Sequence, residues 1–180
     1  MHIRCAREDD AREFLRIYAY YVVHTAVTFD WETPGEEEFR KKIRQTLKRY
    51  PFLAAEEDGE ILGYAYAGPF KDRAAYDWSV ETSIYVSKDQ QGKGIGRALY
   101  QALEERLTAQ GIQNAYACIS YTDTEDETLT NASMRFHRRM GYQLCGTFRK
   151  CGYKFGRWYD MIWMEKMLGD HTVPPHSITI

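Results

Sequence analysis

Seven residues constrain this chain more than any others: Gln91-Gly92-Lys93-Gly94-Ile95-Gly96-Arg97. They fall between a β-branched and aromatic stretch, Glu81 to Val86, and a helical pattern from Arg97 to Ala109 that Gly111 stops. A strand is therefore expected to run through a tight glycine turn into a helix. Glycines at alternate positions let backbone N–H groups approach an anion closely, and a helix amino terminus adds partial positive charge at the same point. A pyrophosphate fits such a cradle. The spacing is Gly-x-Gly-x-Gly, so the dinucleotide fingerprint Gly-x-Gly-x-x-Gly fails, and no Ser or Thr follows Lys93 as a Walker A loop requires. Taken alone, the heptapeptide also fits a plain glycine turn that packs helix on strand.

The rest of the chain reads as one α/β domain over residues 1–168 with a loose tail, 169–180, that carries Pro174 and Pro175. After a strand near Ile3, Asp10 is placed to cap a helix whose apolar positions include Phe14, Tyr18, Tyr21 and Val22. Thr33-Pro34-Gly35-Glu36 looks like a second helix start, with a capping hydroxyl, a first-turn proline and a glutamate three residues on. Phe52 to Glu57 and Glu60 to Ala67 read as a hairpin, because Asp58-Gly59 suits a two-residue turn. Asn114 to Ser120 is a strand, Ser133 to Met140 a short helix, and Tyr142 to Phe148 and Trp158 to Met167 the closing strands. The predicted order is βααβββαβαββ.

Composition narrows the function. With 24 basic and 26 acidic side chains the net charge is -2, so the overall positive field of nucleic-acid binders is missing. No apolar run approaches the roughly 20 residues of a membrane helix. Ile17 to Phe29, the best candidate, is broken by His24, Thr25 and Thr28. The first ten residues carry charges where a secretory leader needs an apolar core, so export by that route is not expected. Cys5, Cys118, Cys145 and Cys151 form no metal-ligand spacing, and they read as buried or incidental thiols of a reducing cytoplasm.

The glycine segment, as Gln91-x-x-Gly94-x-Gly96 after a strand, resembles the pyrophosphate-binding signature of the GNAT superfamily of acetyl-CoA-dependent N-acetyltransferases. Further segments are similar to its phosphinothricin and methionine sulfone N-acetyltransferase branch: Tyr64 to Lys71, Ala75-Tyr76-Asp77-Trp78, Tyr85-Val86-Ser87, Phe136-His137 to Gly141-Tyr142, and Gly152 to Trp158. The resemblance covers about Ile3 to Met167. It implies a twisted mixed β-sheet flanked by helices and splayed at the acetyl-CoA site, N-acetyl transfer to a small amine, a homodimer, and no metal.

The resemblance also implies roles. Glu81 matches the catalytic glutamate and His137 the branch's active-site histidine, which assists the glutamate and stands where many relatives carry a tyrosine acid. Ile84, Tyr85 and Val86 match the strand that aligns the acyl arm, and Gln91, Gly92, Lys93, Gly94, Ile95, Gly96 and Arg97 the pyrophosphate cradle. Lys71, Arg73 and Tyr76 match substrate-side positions, where two cations suit the carboxylate or phosphinate of an amino-acid analogue. Phe29 and Trp31 either wall the pocket or belong to the core. Two departures stand out. The asparagine expected seven residues before His137 is Thr130 here, with Asn131 beside it, and either one offers the cofactor a polar contact. The loop from Tyr121 to Leu129 is long and carries four acids without a base, so it is either a solvated surface loop or a cover over the site. Two other functions stay open: acetylation of a peptide, polyamine or aminoglycoside, and a non-catalytic acyl-CoA-binding sensor.

Overall fold

Hydrophobic periodicity sorts the apolar side chains onto two faces of one sheet, and the chain order of elements is the predicted one. The computed structural model describes residues 1–179. Its elements are β1 (His2–Cys5), α1 (Ala11–His24), α2 (Glu36–Thr46), β2 (Phe52–Glu57), β3 (Glu60–Pro69), β4 (Ser79–Val86), α3 (Ile95–Ala109), β5 (Asn114–Tyr121), α4 (Ala132–Arg139), β6 (Gln143–Lys154) and β7 (Arg157–Met167). The sheet order is β1-β2-β3-β4-β5-β7-β6. Only β4 and β5 run parallel among the described residues. On one face Phe14, Phe39, Ile43, Phe52 and Tyr64 pack beneath α1 and α2. On the other, Leu53, Ala65, Val80, Leu99, Leu103 and Ile162 pack around α3.

The parallel pair is short. It joins Ser79 to Asn114, Val80 to Ala115 and Glu81 to Tyr116, and then stops. Beyond that point β4 stays bonded to β3 as far as Val86, and β5 stays bonded to β7 as far as Tyr121. The sheet thus opens between two strands that are each anchored on their outer side.

Several local expectations are corrected. Asp10 does not cap α1; its buried carboxylate instead receives Arg4 Nη1 and Nη2 at 2.7 and 2.8 Å and the Arg7 amide at 2.6 Å. A two-pronged guanidinium outcompetes a single helix amide. Thr33 and Pro34 lie outside α2, whose cap position is Gly35, and three glutamates in its first turn meet the helix dipole instead. β6 continues past Phe148 to Lys154 through an irregularity in its pairing with β7 between Phe148 and Gly152, a second one lying earlier, between Leu144 and Gly146. The tail is also tied down. Trp78 Nε1 donates to His176 O at 2.7 Å, and the Thr179 amide donates to Gln110 O at 2.9 Å.

Candidate active site

The glycine segment divides into two functions. Gly92 and Gly94 have φ of +77° and +84°, and a Cβ on either would meet nothing within 4 Å. The turn therefore needs glycine for its backbone and leaves open space above it. α3 begins at Ile95, two residues earlier than predicted, so its first-turn amides, which have no partner within the helix, follow directly on that turn. Gly96 differs: a Cβ there would stand 3.2 Å from the Phe136 ring of α4, so this glycine sets how closely two helices approach. Lys93 Nζ reaches Gln90 Oε1 at 2.9 Å on the surface. Gln91 anchors the loop, donating from Nε2 to the Tyr21 hydroxyl at 2.9 Å, and Tyr21 in turn donates to Val86 O at 2.5 Å. Sequence reasoning read Tyr21 only as an apolar helix position.

Where the sheet opens, residues 82–85 and 117–120 wall a cleft of about 50 Å³, with Tyr100 and His137 also lining it. Thr82 marks its apex. The Thr82 hydroxyl donates to Tyr116 O at 3.1 Å, beside the last paired residue, and lies 3.2 Å from the Tyr100 hydroxyl. Tyr100 is 2.9 Å from His137 Nε2, and His137 Nδ1 is 2.8 Å from Ser133 O. A carbonyl only accepts, so Nδ1 carries the hydrogen and Nε2 accepts from Tyr100. Burial pushes the His137 imidazole down to about 4, against a smaller upward pull from the Ser133 carbonyl. His137 is therefore neutral near pH 7, and it lies on the α3 face of the sheet.

Glu81 lies on the other face, because adjacent strand residues point oppositely. Val80 and Ile84 pack with the α3 cluster, whereas Tyr85 packs beneath α1 with Tyr18 and Tyr21. Glu81 and His137 thus stand on opposite faces of the opened sheet, so any assistance of the glutamate by His137 acts across it. Desolvation raises the Glu81 carboxyl pKa, with Lys71 and then Lys42 pulling it back. Around it, Phe70 stacks on Tyr116 at 4.2 Å, and Lys71 Nζ stands 4.9 Å from the Phe70 centroid and 5.4 Å from that of Trp163. Tyr76 packs edge-on against Phe70 at 5.8 Å, and exposed Arg73 opens the short turn that carries it.

The cysteine expectation also changes, since all four thiols are free and belong to exposed residues. Cys118 lines the cleft, and desolvation, then Glu81, pushes its thiol up to about 11. Phe29 packs against Gly152, where a Cβ would fall 2.3 Å from its ring, while Trp31 is 69% exposed. Lys154, another group missed in the sequence, donates to Val22 O, Thr25 O and Thr28 O at 2.8, 2.9 and 2.9 Å, which fixes the turn leading to Phe29.

Asn131 is buried, and both ends of its side-chain amide bind the Thr122 backbone, at 3.2 and 2.8 Å. It is committed to shaping the loop, whereas Thr130 is exposed. The acidic loop is neither free nor unpaired. Asp126 binds Arg157 and the amides of Thr128 and Leu129, Glu125 pairs with Arg135, and the Ala26 amide donates to Thr128 O. The bases that answer these acids come from α4 and β7, beyond the reach of a local reading.

An open parallel strand pair, feeding a glycine turn and the free amides of a helix, fits a diphosphate joined to an extended thioester arm. That geometry defines an acyl-CoA-dependent acyltransferase. A family described as "Acetyltransferase (GNAT) domain" matches residues 3–163. The chain is 37% identical to a phosphinothricin N-acetyltransferase of Streptomyces viridochromogenes, over 89% of this chain and 84% of that protein. It is 39% identical to an L-methionine sulfoximine/L-methionine sulfone acetyltransferase of Pseudomonas aeruginosa, over 91% and 92%. A phosphinothricin acetyltransferase from Sinorhizobium meliloti, solved in complex with AcCoA, superposes with a TM-score of 0.87 at 34% identity, over 99% of this chain and 92% of that one. The chain belongs to the GNAT acetyltransferase family and is an N-acetyltransferase that uses acetyl-CoA.

Proposed function

We propose that this enzyme acetylates the primary amine of a small anionic amino-acid analogue, of the phosphinothricin, methionine sulfone or methionine sulfoximine type, with Glu81 as general base. The observation that carries the reading is the setting of Glu81. Its carboxyl is raised by burial, it sits at the last paired position before the sheet opens, and Lys71 stands on the same side. A base needs a pKa lifted toward the working pH, and burial supplies that lift. Acetyl-CoA supplies an acyl group already activated as a thioester. Gly92, Lys93, Gly94, Ile95, Gly96 and Arg97 hold its diphosphate, Ile84, Tyr85 and Val86 align its arm, and Thr130 takes the polar contact that committed Asn131 does not. Lys71, Arg73 and Tyr76 orient the acceptor, and Phe29 walls its pocket. Glu81 takes the ammonium proton directly or through one water, the freed amine attacks the thioester carbonyl in a ternary complex, and the C–S bond breaks to release CoA as the thiol, carrying off the second amine proton. Neutral His137 fixes the Tyr100 hydroxyl on the thioester side. Cys118, with its thiol held protonated, forms no acetyl-enzyme.

The enzyme acts as a cytoplasmic homodimer in this reading. The four free thiols suit a reducing compartment. Leu144, Phe148, Tyr153 and Trp158 leave an apolar strip exposed at the β6 edge, which suits a subunit contact. The decisive experiment is free-thiol release from acetyl-CoA against a panel of amines, with wild type and Glu81→Gln. Turnover of the amino-acid analogues, reduced about 100-fold or more by Glu81→Gln with acetyl-CoA binding intact, is expected. Turnover of polycations alone would move the acceptor to polyamines, aminoglycosides or peptides. Tight acetyl-CoA binding without any transfer would make the chain a sensor.

A further inference from the structure

Besides Lys71 and Arg73, the acceptor face holds a further cation that no sequence motif marks. Lys42, on α2, donates from Nζ to the Tyr66 hydroxyl at 2.6 Å and stands 4.2 Å from the centroid of that ring. Among the described residues it makes no salt bridge to a carboxylate. Bonded to one neutral phenol and lying over an aromatic face, its ammonium keeps two N–H donors for an anion.

Strand register brings this cation to the site. Tyr66 pairs with Ser83 and Gly68 with Glu81, so Tyr66 and Glu81 are diagonal neighbours on one face, roughly 7–8 Å apart. Between them Gly68 contributes no side chain, and a Cβ built there would meet nothing within 4 Å. The result is an open bay. Glu81 and Gly68 form its floor, Tyr66 with Lys42 one rim, and Phe70 with Lys71 the other. Both lysines act on the Glu81 carboxylate, Lys71 more strongly.

We infer that Lys42 is a further anion anchor of the acceptor site, beside Lys71 and Arg73, and selects amino-acid analogues that carry a distal oxyanion besides the α-carboxylate. The inference rests on the acceptor class proposed above. The α-carboxylate shares a carbon with the reacting amine, so it falls to Lys71, which lies over Phe70 where that ring stacks on Tyr116, the β5 partner of Glu81. A phosphinate two or three carbons further out spans the bay to Lys42. A neutral distal group, such as a sulfone, gains much less from that ammonium.

The test compares phosphinothricin, with its carboxylate and phosphinate, and methionine sulfone, with its carboxylate alone, on wild type, Lys42→Met and Lys42→Arg. Lys42→Met is expected to lower the ratio of kcat/KM for phosphinothricin to that for methionine sulfone about tenfold, chiefly through KM. Lys42→Arg restores most of the ratio. Because the side chain is exposed, a loss of fold would instead reduce both acceptors together, with a lowered melting temperature. An unchanged ratio in a folded Lys42→Met enzyme overturns the inference and leaves the acceptor class standing. Failure of the wild type to acetylate either compound removes the acceptor class and this inference with it.

Discussion

His137 offers the sharpest test of how the cleft is built. The residue is 3% exposed, its Nδ1–H is spent on Ser133 O, and its imidazole pKa falls from 6.5 to about 4. An unfolded chain takes up a proton near pH 6.5 and the folded one only near pH 4, so the unfolded state binds more protons between those values. Stability contributed by the neutral imidazole is complete above pH 6.5 and is lost as the pH falls toward 4. Integrated from about pH 7.5 to about pH 5, the difference is about 2 kcal/mol. The substitution His137→Gln keeps an N–H for Ser133 and an acceptor for Tyr100 but cannot titrate. Urea unfolding of both proteins at one fixed protomer concentration, at each pH, isolates the contribution as a difference of slopes even if the variant is weaker throughout. Wild type is expected to lose about 2 kcal/mol more than the variant over that interval. Parallel losses would show that the imidazole titrates alike in both states, and the dry, neutral wall of the cleft would be refuted.

Two further substitutions probe the cradle and the acceptor wall. Gly94→Ala forces a side chain into φ of +84° at a strain of about 1–2 kcal/mol and shifts the first amides of α3; KM for acetyl-CoA should rise about tenfold in steady-state assays, with KM for the amine little changed. Lys154→Met strands the carbonyls of Val22, Thr25 and Thr28; a loss of at least about 2 kcal/mol in denaturant unfolding is expected, together with a raised KM for the amine as Phe29 loosens.

What was legible in the sequence is what short-range chemistry decides. Asp58 and Gly59 adopt φ of +51° and +82°, as a two-residue hairpin turn requires, and no distant contact was needed to foresee it. The glycine turn after β4 was legible for the same reason, whereas Glu81 was singled out only by the resemblance, since its strand position alone equally suits a solvated glutamate. Tyr21, Thr82, Tyr100 and Lys42 were not. Each satisfies an ordinary helix or strand pattern, and its role comes from partners 18 to 70 residues away, such as Gln91 for Tyr21 or Thr82 for Tyr100. The helix start at Thr33 failed for the converse reason: a good local cap signal yielded to a helix that begins three residues later.

The period of a β-strand then accounts for the division of labour. Glu81 and Thr82 are neighbours in sequence and opposites in direction. The carboxylate faces Lys71 and Lys42, while the hydroxyl closes onto Tyr116 O beside the Tyr100–His137 pair. In the proposed reaction donor and acceptor therefore meet across the plane of the sheet, through the opening left where β4 and β5 part immediately after these residues. A one-residue slip of β4 against β3 would turn the carboxylate toward Tyr100 and the hydroxyl toward the lysines. Seven residue pairs from Gly63–Val86 to Pro69–Val80 hold that register, so in the proposed mechanism the β3–β4 ladder is as necessary to proton removal as the carboxylate it aims.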